Sequence, residues 1–303
     1  MKGLNSLNSS VRNAMVTKKE KVLVVGLGEV GRALYELLKE SGKFAVYGFD
    51  LDEEKMRNIT DSVELPKVID IMHTCYPCVD QENFVKTTLN YIKKFKPKIT
   101  IINSTVPPST TQKIYDASKS LVVHSPIRGM HKNLETMKKD ILFWSKYVGG
   151  ATKEATELAQ KHFEKLGLKV KVLRSPLETE LAKLFETTYR AWMIVCFQEM
   201  HRISRHFGAD FSEVVDMIED IHRVHFNKPL HYPGVIGGHC LIPNTQLLLK
   251  TYDSDFLRLI LESNEKRKEE IKDEDVLREV EKIRRKVEDL EKELALKADA
   301  RKG

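Results

Sequence analysis

The run Val22-Leu23-Val24-Val25-Gly26-Leu27-Gly28-Glu29-Val30-Gly31-Arg32-Ala33-Leu34 leaves this chain few folds to choose from. Four consecutive apolar, mostly β-branched residues predict a strand buried on both faces, as in a parallel sheet. The strand ends in G-x-G-x-x-G and passes directly into helical spacing at Ala33, Leu34, Leu37 and Leu38. In such a unit Gly26 permits the tight turn, Gly28 lets a pyrophosphate approach the backbone, and Gly31 lets the helix close on the strand. The free N–H groups of that helix then face the phosphates, and Glu29 and Val30 within the glycine motif are expected at the cofactor too. A second run, Phe44 to Phe49, ends at Asp50, nineteen residues beyond Gly31. A carboxylate there accepts from an adenosine ribose 2′-hydroxyl and repels a 2′-phosphate, which favours NAD over NADP. A glycine-rich turn in some other α/β protein is the alternative.

Downstream, apolar runs alternate with helical spacing. A short helix is expected at Glu53 to Asn58, and strands at 68–72, 99–102, 121–123, 146–150 and 169–173. Helices are expected at about 82–95, from Thr110, and at 152–166. Strands alternating with helices mean a doubly wound α/β domain with a parallel sheet, the Rossmann arrangement, over residues 20–174. Residues 1–19 are polar and read as a flexible N-terminal tail.

At residue 175 the pattern changes. Ser175-Pro176 is a helix start, and helical spacing then runs from Leu181 through Phe207 to Gly208. Apolar residues of this helix (Leu184, Ala191, Ile194, Val195, Met200) exceed what one small domain buries, so a homodimer through helix 177–207 is expected. A second helix follows at about 211–224, then a loop from Phe226 to Asn244 with three prolines and three glycines. Residues 175–262 thus form an all-helical dimerisation and substrate domain, and 263–303 a helical tail. In that tail Val276, Val280, Ile283, Val287, Leu290 and Leu294 step by four and three. The seam fits a parallel coiled coil, with Lys286 and Glu291 attracting across it, or an amphipathic helix folded back on its own domain.

Composition narrows the function. Hydrophobic residues make up 41% and charged residues 31%, and a net charge of +6 from 50 basic against 44 acidic residues does not argue for nucleic acid. No apolar run approaches the ~20 residues of a membrane helix, and no signal peptide is evident, so a cytoplasmic protein is expected. Four cysteines do not suggest a disulfide framework. Cys75-Tyr76-Pro77-Cys78 has C-x-x-C spacing but no second pair to complete a zinc site, and no metal is expected. Packing beside the nicotinamide is the favoured reading of that pair, over a redox role.

The chemistry concentrates in Tyr232-Pro233-Gly234-Val235-Ile236-Gly237-Gly238-His239-Cys240-Leu241-Ile242-Pro243-Asn244. Glycines before a cysteine let a substrate touch bare backbone while the thiol reaches it. A cysteine opening a helix can have its pKa lowered by the helix N-terminus, which makes it a nucleophile. Lys183, in Glu180-Leu181-Ala182-Lys183, adds an ammonium that can stabilise an alkoxide or shuttle a proton.

With these pieces in hand the chain resembles the UDP-glucose/GDP-mannose dehydrogenase family of nucleotide-sugar dehydrogenases. The matching residues are Gly26 to Gly31, Ser104-Thr105-Val106-Pro107-Pro108, Glu180 to Leu184, Pro233-Gly234 and Gly237-Gly238-His239-Cys240. The resemblance implies an NAD-linked alcohol oxidation in which Cys240 holds the aldehyde as a thiohemiacetal. A second hydride loss then leaves a thioester for water to hydrolyse. It also implies Lys183 as oxyanion stabiliser and Thr105 as a cofactor and water contact, with Gly237, Gly238 and His239 beside the substrate.

The chain departs from the family at Ile127, where a glutamate handles the hydrolytic water, at Thr187 for an asparagine, and at Asn244 for an aspartate. A helical tail stands where the family's third domain grips the nucleotide. Neutral Asn244 cannot accept protons as a carboxylate does, and Ile127 cannot activate water. Arg128 and His131, in the same loop as Ile127, could bind an anionic group or supply the missing base, or lie at the surface. Two other functions stay open: a two-electron β-hydroxyacid-type dehydrogenase in which Lys183 acts and Cys240 only packs, and a non-catalytic NAD-binding oligomer.

Overall fold

A computed structural model of the chain describes residues 19–57, 59, 65–129, 133–225 and 229–300. The expected N-terminal tail and His131 therefore lie outside the described residues, apart from Lys19. Strands and helices alternate through β1 (Lys21–Val25), α1 (Glu29–Glu40), β2 (Ala45–Phe49), α2 (Glu53–Arg57), β3 (Ile71–Thr74), α3 (Gln81–Phe95) and β4 (Ile99–Ile102). They continue through α4 (Thr110–Ser118), β5 (Leu121–His124), α5 (Leu134–Phe143), β6 (Lys146–Gly150), α6 (Lys153–Leu166) and β7 (Val170–Val172). The helical part comprises α7 (Pro176–His206), α8 (Phe211–His225), α9 (Leu241–Thr251), α10 (Asp255–Glu270) and α11 (Glu274–Ala300).

The seven strands form one sheet in the order β2-β1-β3-β4-β5-β6-β7, with only β5 and β6 pairing antiparallel. The doubly wound α/β reading holds, with the last two strands reversed against the other five. Val22 and Val24 point into one core with Leu34, Leu38 and Phe163, and Leu23 and Val25 into the other with Met72, Phe84 and Ile114. Alternate residues of a single apolar run thus serve two faces. The chain reverses direction across the sheet at β1, which lies between β2 and β3. The crevice beyond the carboxyl ends of β1 and β3 is where such sheets bind ligands.

Three local expectations shift. The third strand starts at Ile71, three residues later than the apolar run does, because Asp70 takes the Lys21 N–H at 2.9 Å and pairs with Lys98 at 2.7 Å. That puts His73 and Thr74 in the strand. Helix α5 was not anticipated; Asn133 caps it by accepting from Thr136 N, and Met137 and Ile141 bury against the α1 core. Helix α9 begins at Leu241, inside the stretch expected to be loop, with Cys240 at its N-cap.

Helix α7 starts as the sequence indicates, with Ser175 Oγ accepting from Leu177 N and Pro176 in the first turn. Leu184, Ala191 and Val195 bury within the chain, against Ile236, Leu247, Leu248 and Ile260. They are therefore not the surplus apolar surface that the sequence predicts. The exposed apolar residues of α7 are instead Leu177, Phe185, Tyr189 and Ile203, with Phe207 at its C-cap. The tail seam folds back: Ile283, Val287 and Leu290 of α11 bury against Phe197, Phe211, Val215 and Leu230. Lys286 pairs with Asp216 of α8 rather than reaching across a coiled coil, and Glu279 pairs with His201 and Arg205 of α7. Apolar seam and ionic flanks are both satisfied within one chain.

A polar seam runs through the sheet. His73 Nδ1 donates to Asn103 Oδ1 at 2.8 Å, and Asn103 Nδ2 donates to Ser125 O at 2.7 Å. The two histidines meet through Nε2 atoms 2.9 Å apart, with His162 donating. Beside them Lys146, 4% exposed, donates to Ser125 O at 2.7 Å and Pro126 O at 3.0 Å. No carboxylate among the described residues pairs with it, and burial pushes its ammonium down to about 7. A neutral amine has two N–H groups, which matches the two carbonyls it meets.

Replacing Ile283, 1% exposed, by Ala is expected to cost about 2–5 kcal/mol in urea denaturation of the chain. That loss should not vary with protein concentration, as it would for a seam between subunits. Lys146 gives a pH signature. Its folded pKa lies near 7, below the value of 10.5 it regains on unfolding, so between these the unfolded chain holds more protons. Stability contributed at this site rises as pH climbs from about 7 towards 10.5. In Lys146→Met that rise should vanish from melting temperatures measured across the range.

Candidate active site

The turn after β1 is built for close approach. Gly26 has φ +88°, and a Cβ on Gly31 would lie 1.7 Å from Gly26 O, so both positions admit only glycine without rearrangement. A Cβ on Gly28 meets no protein atom within 4 Å, and Gly28 opens onto a cavity. Gly28 is also the N-cap of α1 and offers no side chain to its first N–H groups. An uncapped helix start behind open glycine backbone fits the pyrophosphate of a dinucleotide. Asp50, at the end of β2, stands against the same turn. Its Oδ2 accepts from Leu27 N at 2.6 Å and its Oδ1 from Asp52 N at 2.9 Å. Four lone-pair sites on a carboxylate leave room for a ribose hydroxyl as well.

Helix α7 reaches the crevice because Glu180 docks it there. Ser109, the N-cap of α4, has φ +69° and makes no side-chain cap bond. Glu180, fully buried, supplies the cap from α7: it accepts from Ser109 N at 2.6 Å, Thr111 N at 2.8 Å and the Thr111 hydroxyl at 2.6 Å. Burial nevertheless pushes its carboxyl up to about 7, against those three bonds. Next to it Thr179 Oγ1 lies 2.8 Å from His124 Nδ1 of β5. The turn that follows carries Lys183 into the cavity, where its Nζ pairs with Glu186 at 2.9 Å.

Helix α9 closes the opposite wall. Pro243, Gln246, Leu247 and Lys250 recur at helical spacing on the face that lines the cavity, with Cys240 and Asn244 at its start. The cavity is about 720 Å³, of the size that takes a small-molecule ligand. Gly28, Glu29, Val30, Thr105, Lys183, His239, Cys240 and Asn244 all line it. Residues from the two ends of the sequence, Gly28 and Cys240, thus face one space. His239 Nε2 lies 3.3 Å from Glu29 Oε2 and ties the cysteine loop to the start of α1.

Several expectations need correction. The Cys240 thiol is pushed up, not down: burial raises its pKa, Lys183 lowers it, and Glu29 and Glu186 raise it further. The helix start does not outweigh the loss of water. Arg128 does not line the cavity. It stacks 4.9 Å over Trp144 and 5.1 Å over Tyr147, which explains its place without an anionic ligand. Gly237 and Gly238 are not on the lining either; Gly238 has φ +76°, and the pair shapes the approach to Cys240. Thr187 lies behind the wall, where its hydroxyl accepts from Asn244 Nδ2 at 3.2 Å. Cys75 and Cys78 are free and line the cavity, and burial pushes both thiols up to about 12. That agrees with packing rather than redox chemistry. Ile127 lines the cavity, and Glu29 is the one carboxylate on the lining among the described residues.

Sequence reasoning passed over Asn103, Gln246 and Lys250, which also line the cavity. The helical spacing from Pro243 to Lys250 could have found the last two. Nothing local marks Glu180 as a docking carboxylate, because its partners lie some seventy residues away.

Residues 177–266 match the model for the UDP-glucose/GDP-mannose dehydrogenase family, central domain. The chain is 26% identical over 286 residues to a UDP-N-acetyl-D-mannosamine dehydrogenase of Methanocaldococcus jannaschii, with 81% of this chain and 65% of that one covered. A UDP-glucose 6-dehydrogenase of Campylobacter jejuni is 27% identical over 293 residues, covering 82% and 72%. Among solved structures, the UDP-D-ManNAc dehydrogenase of Pyrococcus horikoshii superposes with a TM-score of 0.69 at 22% identity, over 81% of this chain and 68% of that one, a likeness of fold. The chain therefore spans just under two thirds of the first of these relatives. No described helix is long and apolar enough to cross a membrane. Its central helices thus match the central domain of the UDP-glucose/GDP-mannose dehydrogenase family, and most of its length aligns to nucleotide-sugar dehydrogenases.

Proposed function

We propose that the protein is an NAD-dependent dehydrogenase that oxidises an alcohol of a sugar nucleotide, with Cys240 as nucleophile and Lys183 as oxyanion stabiliser. One observation carries this reading: the first glycine turn, Lys183 and Cys240 line a single cavity. The names of the relatives, UDP-N-acetyl-D-mannosamine and UDP-glucose dehydrogenases, give the substrate class to try first.

In this reading Gly28 and the first N–H groups of α1 hold the pyrophosphate of NAD, Asp50 its adenosine ribose, and Thr105 the reactive end. Bound there, the nicotinamide supplies the hydride acceptor. Lys183 stabilises the alkoxide as the substrate loses its proton and hydride. The Cys240 sulfur then adds to the aldehyde carbon; an S–C bond forms, the carbonyl electron pair moves to an oxygen facing Lys183, and that oxygen takes up the proton the thiol gives up. Loss of the carbinol hydrogen as hydride to a second NAD, exchanged for the first NADH, and of the hydroxyl proton to water leaves a thioester on Cys240.

Hydrolysis is where this lining offers least. Glu29, held by His239, is its one carboxylate among the described residues, while Ile127 and Asn244 can take no proton from water. That observation favours, as a second reading, oxidation by two electrons that stops at the aldehyde. Counting NADH separates them: two per substrate for the full reaction, one for the shorter.

Within this reading the protein is a homodimer. Phe185 is 54%, Tyr189 64% and Ile203 55% exposed along α7, and Phe207 at its C-cap 78%, more apolar surface than one helix usually leaves to water. Phe185→Asp is expected to convert a dimer into a monomer in light scattering, with the secondary structure intact.

The decisive assay supplies NAD and UDP-N-acetyl-D-mannosamine or UDP-glucose and follows NADH. Cys240→Ala should remove the second NADH and the covalent adduct seen by mass spectrometry. Lys183→Ala should lower kcat by about 10²–10³. Undiminished formation of two NADH in Cys240→Ala would exclude the sulfur from the chemistry.

A further inference from the structure

The wall formed by the start of α9 presents a group that the reading above leaves unused. Asn244 is 7% exposed and lines the cavity beside Cys240 and Lys183, and Thr187 behind it is 6% exposed. Asn244 Nδ2 donates to Thr187 Oγ1 at 3.2 Å. The Thr187 hydroxyl donates along α7, to Leu184 O at 2.9 Å with Lys183 O at 3.4 Å. Thr187 therefore has only lone pairs to offer, and they accept only from the N–H side of the amide. The reverse orientation would set Asn244 Oδ1 against the same lone pairs. The amide is thus held one way round, and Oδ1 takes no hydrogen bond from any described residue of the protein. A side chain this buried, lining a cavity with its one free polar atom an acceptor, calls for a donor from whatever occupies that cavity.

We propose that Asn244 Oδ1 is the acceptor that recognises the reacting hydroxyl of the substrate, and that Thr187 is the positioning residue that holds the amide in that orientation. This rests on the reading of the cavity as the site of an alcohol substrate, and deepens it. An amide oxygen does not take up a proton near neutral pH, so Asn244 selects and orients an O–H group without acting as a base. Lys183 on the neighbouring wall remains the group that meets the charge as it develops. A ligand whose hydroxyl is replaced by hydrogen leaves Oδ1 buried and unmet, which is the source of discrimination.

The test is calorimetric binding to the full chain saturated with NADH, where no oxidation can proceed. The ligands are UDP-N-acetyl-D-mannosamine, UDP-glucose, and for each the analogue lacking the hydroxyl that is oxidised. Wild type should favour the hydroxyl ligand by about tenfold, the difference one hydrogen bond makes. Thr187→Val and Asn244→Ala should bind both members of a pair alike, and Thr187→Ser, which keeps the hydroxyl, should retain the preference. A purely structural part for these residues would weaken both ligands together and leave the ratio unmoved. Preserved discrimination in Thr187→Val or Asn244→Ala overturns the proposal. A wild-type chain that oxidises the sugar nucleotide yet binds both analogues equally overturns the proposal and leaves the dehydrogenase reading standing. If wild type binds neither ligand, both fall.

Discussion

The cap that Glu180 places on α4 is the joint on which the site depends. A helix start whose own N-cap residue offers no side-chain bond must find an acceptor elsewhere, and here it comes from another layer of the molecule. The same three bonds fix the rotation of α7 about its axis, since a carboxylate with both oxygens engaged tolerates little movement. Lys183 follows one turn later and inherits that rotation. Through α7 the packing of α9 is set as well, by Leu184, Ala191 and Val195 against Leu247 and Leu248. Thus the places of both Lys183 and Cys240 follow from a carboxylate that touches neither.

Electrostatically the cavity is an unusual mixture. Lys183, Lys250 and His239 line it, against Glu29, and two helices begin on it, one at Gly28 and one at Cys240, neither with a side-chain cap. Such a place suits ligands that bring negative charge, as diphosphates do. The sheet behind the lining carries uncharged histidines. His73, His124 and His162 are all pushed down by burial, to about 4 for His73 and about 3 for His124, and stay uncharged at neutral pH. Asn103 joins the two regions, since it lines the cavity and also takes the His73 proton in a hydrogen bond.

Much of this was readable from the chain alone, for reasons that differ between residues. The first strand and its glycines are a local code, in which the apolar run, turn and helix specify one another over thirteen residues. The start of α7 is equally local, through Ser175 and Pro176. What could not be read depends on distant partners. Whether the seam from Val276 to Leu290 pairs between subunits or folds inward turns on Phe197, Phe211 and Val215, which its periodicity cannot reveal. Arg128 looked like an anion-binding group because the rings of Trp144 and Tyr147 come to it only in the folded sheet. The direction of the Cys240 shift was missed because position at a helix start is visible in sequence and desolvation is not.

That shift has a chemical sense. A thiol kept protonated at rest, with Glu29 and Glu186 adding to the effect of burial, is a poor target for solvent-borne electrophiles and oxidants. The opposing influence is Lys183, a fixed positive charge on the adjoining wall. Coulomb attraction between an ammonium and a thiolate grows as water leaves the space around them. Any occupant that expels water from the cavity therefore strengthens the pull of Lys183 on the thiolate and also deepens the desolvation that opposes it. Reactivity is then tied to occupancy rather than to a standing low pKa, and the two carboxylates and the lysine around Cys240 set where that balance lies.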